Sequence, residues 1–388
     1  MTTSRFVQLH ILTSYPAANL NRDDTGRPKT VIMGNSQRLR VSSQSLKRAW
    51  RTSDAFRDAL AGHIGTRTKE LGECVFIALT KGCSLEAAMD DKNATGSLPL
   101  LKEKPAKEIA QAIAATFGAL KKEKADKKAK ADKGKEQEAQ DQPAEPAKPE
   151  EAMHIEQLAH ITPAEIAAVS RLTESCRTSG KAPDAAALDL LRRDHMAVDV
   201  ALFGRMLAAH KTFSVEAAAQ VAHAFTVHKA SVEDDFFTAV DDLNRDSTGA
   251  GHMGVIEFGA GVFYLYICVD TQLLRANLQD DDLAARALRA LCTCACTVSP
   301  TGKQNTFASH AYASYCLAEK GNAQPRSLSV AFLNGINDEA DLLPAAIRAI
   351  NNTRDSFAKA YAINTQSMSC NLLEGTGTIP DVCAFITE

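Results

Sequence analysis

Residues 21–51 read NRDDTGRPKTVIMGNSQRLRVSSQSLKRAWR and contain most of the basic residues of the N-terminal region. Up to residue 51 the chain has nine Arg and Lys residues and two acids, whereas the 388-residue chain has a formal net charge of −3. A basic segment on a weakly acidic protein indicates a surface that binds a polyanion, because it neutralises phosphates and releases their counterions.

The second half of this stretch predicts a helix. Ser42 or Ser43 can cap its start, and residues 44–51 contain no Gly, Pro or β-branched residue. Spacings of three and four place Gln44, Lys47, Arg48 and Arg51 on one face, opposite Leu46, Ala49, Trp50 and Ser53. A polar face of this kind suits phosphates, but a solvated charged face has the same pattern, so the charge pattern alone leaves both interpretations open.

Length and composition allow two domains, or one domain with large insertions. Hydrophobic residues make up 45% of the chain, and its ten cysteines do not follow a secretory spacing. No apolar run reaches the length of a transmembrane helix or a signal peptide, so we expect reduced thiols, a cytoplasmic location and no membrane association. The run Cys292-Thr-Cys-Ala-Cys296 continues a helical apolar pattern and lacks a C-x2-C partner, which favours buried packing over a metal site.

The first third of the chain predicts a strand, a loop and a helix. Residues 6–13 alternate as a strand that Pro16 ends, 17–41 form a long loop, and 43–61 form the basic helix. Residues 62–194 then predict a mostly helical insertion, with helices within 66–120 and at 154–178 and 184–193. Inside it, residues 121–150 hold nine Lys, eight acids and no Val, Ile, Leu or Phe, which predicts disorder or a frayed charged helix.

Strand periodicity returns after the insertion. The predicted strands are 196–206, 221–228, 258–270 and 327–333, although 221–228 could also form a helix, and the predicted helices are 281–298 and 344–361. Without the insertions the order is β-α-β-β-α-β. We therefore predict an α+β fold, the ferredoxin-like arrangement shared by modified RNA-recognition motifs.

Several strings resemble one known family. They are NRDD (21–24), SSQSLKRA (42–49), DVALFGRM (199–206), AHAFTVHKA (222–230), DDFFTAVDDL (234–243) and EFGAGVFYLY (257–266). In this order they resemble the backbone subunit of the type I-E CRISPR Cascade complex, the CasC family of the RAMP superfamily. The resemblance spans most of the chain, although residues 65–190 carry no matching motif.

The resemblance implies a division into palm, fingers and thumb. The palm comprises 1–61, the strand 195–206 and 257–388, with 62–194 as fingers and 207–256 as thumb. It also implies RNA contacts from Arg22, Lys29, Arg38, Arg40, Ser42, Gln44, Lys47, Arg48, Arg51, Arg205 and Met206. Further candidates are Phe237, His252, Met253, Lys303 and Gln304. Without the resemblance, ordinary core packing is the favoured interpretation for Met206, and burial is at least as good an explanation for one Phe of the pair 236–237.

The family resemblance further implies a non-catalytic subunit without a cofactor. Copies would assemble head to tail along a CRISPR guide RNA, alongside other Cascade subunits, and present the guide for pairing with single-stranded target DNA. Two alternatives remain open on sequence grounds. One is a metal-dependent RAMP ribonuclease that uses Asp23 and Asp24, and the other is a free-standing RNA-recognition module.

Overall fold

The chain divides into two compact units in the computed structural model, which describes residues 4–121, 149–192, 196–207, 209–239, 252–337 and 341–388. One unit, here the sheet unit, comprises Met1–Ala61 and Ala217–Glu388, and the other, the helical unit, comprises Gly62–Glu216. The predicted insertion begins where the helical unit begins, at residue 62. The disorder predicted for 121–150 concerns residues that lie almost wholly outside the described ranges.

Eleven strands are present in the described residues. They are β1 (Phe6–Ala18), β2 (Thr30–Met33), β3 (Ser36–Val41), β4 (Thr66–Thr68), β5 (Ala159–Ile161), β6 (Ala219–Val221), β7 (Ala224–Thr226), β8 (Glu233–Ala239), β9 (His252–Asp270), β10 (Ala313–Gly321) and β11 (Gln366–Asn371). Nine of them form one antiparallel sheet in the sheet unit, and β4 pairs with β5 in the helical unit.

The described helices include several short ones. They are α1 (Ser43–Thr52), α2 (Asp54–Ala59), α3 (Leu71–Lys81), α4 (Leu85–Asp90), α5 (Glu103–Ala115), α6 (Pro163–Ser179), α7 (Val198–Phe203), α8 (Thr271–Leu278), α9 (Asp281–Thr297), α10 (Gln304–Phe307), α11 (Leu342–Tyr361) and α12 (Ile379–Thr387). Short 3₁₀ turns occur at Pro149–Met153, Lys211–Phe213 and Ser329–Phe332.

The centre of the large sheet is β1, which pairs antiparallel with β9 on one side and β10 on the other. The sheet order along its main path is β11-β10-β1-β9-β7-β3-β2. Side chains of β1 are buried on both faces of the strand. Helix α9 contacts β1 and β10, and Leu12 of β1 packs in a core with Ile347 and Ile350 of α11. The sheet unit is therefore an α+β layer structure with a doubly covered central strand.

The segment 17–41 is a hairpin in its second half and not the long loop that we predicted. Strands β2 and β3 pair in register, and the connecting Gly34 and Asn35 have φ values of 56° and 62°. Such left-handed pairs match the twist of a two-residue hairpin, and the Gly-Asn dipeptide was the signal for it. Pro16 likewise lies within β1 instead of ending it, at an irregularity in the pairing with β9.

The helical unit packs α3, α5 and α6 around a core that includes Val75, Ile109 and Val169. Helix α6 begins at Pro163, and Thr162 is its N-cap. The Thr162 hydroxyl accepts a hydrogen bond from the Glu165 amide, while the Glu165 carboxylate accepts one from the Thr162 amide, which completes a capping box.

Further secondary-structure predictions were wrong, among them the helix predicted from residue 154, where 159–161 form β5 and α6 begins only at 163. Residues 198–203 form the helix α7 and not a palm strand, since a short, mostly apolar segment can be buried in either form. Residues 329–332 form a 3₁₀ turn, and the strand predicted there is instead β10 at 313–321. Residues 184–193 are not a helix where they are described.

Within the described ranges, none of the helices combines the length and the hydropathy needed to cross a bilayer.

Candidate nucleic-acid interface

The predicted basic helix exists as α1, and it begins as the sequence indicates. The Ser42 hydroxyl accepts a hydrogen bond from the Ser45 amide at 3.3 Å, and the Ser42 amide donates to Asn21 Oδ1 at 2.9 Å. Ser42 is buried, so its hydroxyl acts as the helix cap, and Asn21 ties the start of the helix to the segment before β2.

The two faces of α1 differ in exposure as predicted. Leu46, Ala49 and Trp50 are buried, whereas Gln44 and Arg48 are exposed. Lys47 and Arg51 are half-buried, and burial lowers the pKa of the Lys47 ammonium. The helix therefore presents polar and cationic groups on the side away from its apolar contacts.

A second cationic group lies next to this helix, on the strand that precedes it. Arg40 of β3 is half-buried, with its Nη1 2.8 Å from Nδ1 of His223, which precedes β7. Burial first, and then the positive charges of Arg40 and Lys29, lower the pKa of His223. Lys29 and Arg40 also line a shallow depression beside Gly259 of β9. Sequence reasoning missed His223 as a site residue, although it lies within the matching string AHAFTVHKA.

The loop that precedes β2 is closed by its own acidic residue. Asp23 Oδ1 accepts hydrogen bonds from the Thr25 hydroxyl and from the amides of Thr25 and Arg27. These contacts, the Thr25 hydroxyl foremost, lower the pKa of Asp23. Arg22 and Asp24 are exposed. Among the described residues, neither aspartate belongs to a cluster with metal-ligand spacing.

Arg38 is not part of this surface, which corrects the prediction. Its side chain is fully buried, and its Nη1 and Nη2 atoms donate to the carbonyl oxygens of Thr226 and Phe332 at 3.1 and 3.2 Å. A buried guanidinium cannot contact an external phosphate, so Arg38 instead fastens β3 to β7 and to the turn at 329–332. Strand alternation places Arg38 and Arg40 on the same face of β3, so the difference comes from the segments that each side chain meets and not from the strand itself.

Arg205 is also a structural residue, contrary to the prediction. Its guanidinium lies 2.8 Å from the Glu165 carboxylate, with both side chains buried, and it also donates to the carbonyl oxygens of His160 and Phe213. The neighbouring Met206 is 77% exposed. Within the helical unit, therefore, Met206 remains a candidate contact and Arg205 holds the segment that carries it.

The hairpin of β8 and β9 carries an exposed apolar face. Phe236 pairs with Val255, and Met253 pairs with Thr238, so these side chains share one side of the ladder. Phe236, Met253 and Val255 are each more than 60% exposed. We call Phe236, Met253 and Val255 the apolar hairpin face.

Phe237 and His252 are two further candidates on the same hairpin. Phe237 points to the opposite side from the apolar hairpin face and packs against Gly254. The exposed Phe of the pair is thus Phe236, whereas Phe237 is half-buried. His252 opens β9, paired with Ala239, and its side chain lies outside the described part.

The last two candidates lie in the turn that leads into α10. Lys303 has a φ of 49°, and Gln304 Nε2 lies 3.2 Å from His310 Nδ1. Both side chains are half-buried. The turn belongs to the same unit as α1.

Comparisons with known proteins place the chain in a family. The family model described as CT1975-like protein matches residues 7–381. The chain belongs to the CT1975-like protein family. No curated protein matches this CT1975-like chain.

Solved structures resemble the CT1975-like chain over almost its whole length. A chain of a CRISPR RNA-guided surveillance complex in a pre-nicking state is 26% identical, with 98% of this chain and 99% of that chain covered and a TM-score of 0.75. A chain of another CRISPR RNA-guided surveillance complex is 22% identical, with 98% of each chain covered and a TM-score of 0.57, and it supports the fold alone. The CT1975-like chain thus resembles subunits of RNA-guided surveillance complexes.

Proposed function

We propose that this chain is a non-catalytic, guide-RNA-binding backbone subunit of a type I-E Cascade surveillance complex. The observation that carries the proposal is the match, over 98% of the chain, to a chain of an RNA-guided surveillance complex. The cationic surface of Lys29, Arg40, Arg48 and the half-buried Lys47 supports it, because phosphate neutralisation dominates the affinity of proteins for nucleic-acid backbones.

We place the palm in the sheet unit. There β1, α1, β7, β9, α9 and β10 follow one another as strand, helix, strand, strand, helix and strand, and their sheet order is β10-β1-β9-β7. This is the ferredoxin-like arrangement of the RAMP superfamily. The helical unit takes the role of the fingers, and the β8–β9 hairpin takes the role of the thumb.

In this proposal the protein binds the backbone of the guide RNA and leaves its bases free to pair with the target. Arg40 and α1 hold phosphates without recognising sequence, since Arg and Lys contact the same groups at every nucleotide. Copies assemble head to tail along the guide, next to other Cascade subunits, in the cytoplasm. Single-stranded target DNA then pairs with the exposed guide bases, so that specificity comes from base pairing.

The hydrogen bonds of Asp23 favour this proposal over the ribonuclease alternative. Its carboxylate closes a turn through three contacts from Thr25 and Arg27. A metal ion would have to compete with these contacts for the same oxygen. The aspartate is therefore assigned to shaping the loop that leads to Lys29.

A charge-reversal experiment tests the function. Arg40→Glu with Arg48→Glu should abolish assembly on guide RNA in a gel-shift or native-mass measurement, while the melting temperature stays close to that of the wild type. Arg57→Glu, an exposed change on α2, is the matched control and should bind as the wild type does. Wild-type binding should weaken steeply with salt. Unaltered RNA binding by the double variant would overturn the proposed interface.

A further inference from the structure

Three cysteine thiols converge in the core of the sheet unit. Cys292 and Cys296 lie one turn apart on α9, and Cys316 lies on β10. Their sulfur atoms are all within 4.8 Å of one another. Each of the three residues is at most 2% exposed, so the sulfurs form a dry, closed group.

A fourth thiol lies near Cys292, on α12. Cys383 is buried, and its interaction with Cys292, together with burial, raises the pKa of its thiol. Its Sγ atom also lies 3.7 Å from the Thr293 hydroxyl and 3.9 Å from the Arg289 carbonyl oxygen. Cys383 is thus a neighbour of the three-thiol cluster from a third element, and all four residues are free thiols.

Ordinary packing is visible at another cysteine on the same helix. Cys294 is as buried as Cys292, but its Sγ atom lies against the Ser53 hydroxyl at 3.7 Å and not in the cluster. A buried thiol needs no sulfur neighbour to pack as a small apolar group. The contact of sulfur with sulfur at Cys292, Cys296 and Cys316 is thus a separate feature that burial alone does not require.

The spacing of the sulfurs suits a single soft metal ion. With Zn–S bonds of about 2.3 Å, the edges of a tetrahedron of thiolates measure roughly 3.8 Å. Thiols within 4.8 Å reach such an ion through shifts of about 1 Å or less. All-sulfur ligand sets select zinc and other soft ions over magnesium or calcium.

We propose that Cys292, Cys296, Cys316 and Cys383 bind one zinc ion in a closed structural site that joins α9, β10 and α12. Each thiol loses its proton to solvent as its sulfur bonds to the metal, so binding strengthens as pH rises. Four protein ligands leave no open position for a substrate. The site therefore anchors α12 to α9 and β10 within the sheet unit, and it does not depend on the proposed RNA function.

The metal content of the full-length chain is the direct test. Protein purified under reducing conditions, with any affinity tag removed, should contain about one zinc per chain by mass spectrometry of metals. Cobalt added to the chelator-treated protein should give thiolate-to-cobalt charge-transfer absorption and the visible bands of tetrahedral cobalt. Metal-free protein without these bands would overturn the proposal.

Serine variants separate the cluster from its neighbour. Cys296→Ser and Cys316→Ser should lose the zinc and the cobalt spectrum, whereas Cys294→Ser, on the same helix, should keep both. A zinc chelator should lower the melting temperature of the wild type and of Cys294→Ser equally. Loss of metal from Cys294→Ser, or a disulfide among the four residues in the purified wild type, would contradict the site. A Cys383→Ser variant with full zinc and an unchanged cobalt spectrum would overturn the assignment of the fourth ligand.

Discussion

Arg40, on the strand that leads into the basic helix, is in direct contact with His223. The distance between Arg40 Nη1 and His223 Nδ1 is 2.8 Å. This geometry places a neutral imidazole beside a guanidinium, with Lys29 as a further positive charge. Burial and these charges lower the pKa of His223 from the ordinary value of 6.5. His223 therefore stays uncharged at neutral pH in the free protein.

This contact predicts that RNA binding takes up a proton. A phosphate bound at Arg40 would offset the positive charges and raise the pKa of His223, so guide affinity should increase as pH falls from about 7.5 to about 5.5. A titration by fluorescence anisotropy at several pH values measures the effect. His223→Gln should flatten the pH dependence and retain the salt dependence. An equally pH-dependent His223→Gln variant would exclude His223 as the source.

Folding should respond to pH in the opposite direction at the same residue. Because the folded chain holds the His223 pKa below 6.5, the unfolded chain binds more protons, and stability falls slightly as pH drops through 6.5. The opposite signs distinguish a binding effect from an effect on folding.

Arg205→Ala should destabilise the protein and leave RNA binding by the folded fraction intact. The change leaves the buried Glu165 carboxylate without its cation, which typically costs about 3–5 kcal/mol. Urea unfolding gives the free energy. Arg171→Ala, an exposed change on α6, is the control and should alter it by about 0.5 kcal/mol or less. A stable Arg205→Ala variant that no longer binds RNA would restore the contact predicted from sequence.

Acid should unfold the sheet unit through His10 and Glu319. Burial alone would raise the Glu319 pKa, but hydrogen bonds from His10 and Arg326 outweigh it and hold the pKa at about 2, below the ordinary 4.5. Burial also lowers the pKa of His10. Both groups bind protons more readily when unfolded, so stability is lost below pH 6.5 through His10 and between pH 4.5 and about 2 through Glu319.

Urea unfolding at a series of pH values tests this assignment. Glu319→Gln should be less stable at pH 7 and should lose less stability than the wild type on acidification below pH 4.5. The exposed Glu374→Gln change is the control and should follow the wild-type profile. A Glu319→Gln profile parallel to that of the wild type would refute the assignment.

Gly34→Ala should disrupt the β2–β3 hairpin. Gly34 has a φ of 56°, and an added Cβ would lie 1.4 Å from the Leu333 carbonyl oxygen. Strain of this kind costs about 1–3 kcal/mol, before any displacement of the 329–332 turn is included. Gly26→Ala, with a φ of 91° and nothing within 4 Å of the added carbon, isolates the backbone strain and should lose less stability. Equal losses in the two variants would show that the contact with Leu333 has no effect.

The apolar hairpin face should affect the complex and not the fold. Phe236→Ser with Met253→Ser removes exposed apolar groups, so the free energy of unfolding should change by about 0.5 kcal/mol or less per site. We expect assembly on guide RNA, or the spacing of nuclease-protected guide segments, to change. Val31→Ser, an exposed apolar change on β2, serves as the control. Unchanged assembly and protection would remove the hairpin face from the interface.

Local patterns accounted for much of what could be predicted. Alternation identified β1 and β9 and indicated a strand at 221–228, where the structure has the two short strands β6 and β7, and helical spacing identified α1, α9 and α11. The Ser42 and Thr162 caps were also predictable, because a cap depends on residues three positions apart. The basic helix face followed for the same reason, since exposure on an amphipathic helix is dictated by its own apolar stripe.

Contacts between distant residues decided the rest. Arg38 and Arg40 are equivalent in the sequence, yet only tertiary structure places carbonyl oxygens of Thr226 and Phe332 around Arg38 and His223 beside Arg40. Arg205 became structural through Glu165, 40 positions away. The thiol cluster likewise needed Cys316, which no spacing around Cys292 reveals. The sequence alone determined which segments are basic and most of those that are helical or extended, because those properties follow largely from neighbouring residues. A charged group is buried when contacts with remote segments offset the free-energy cost of removing it from water. Those contacts exist only in the folded chain, so tertiary structure decides which charged groups are buried and which stay exposed.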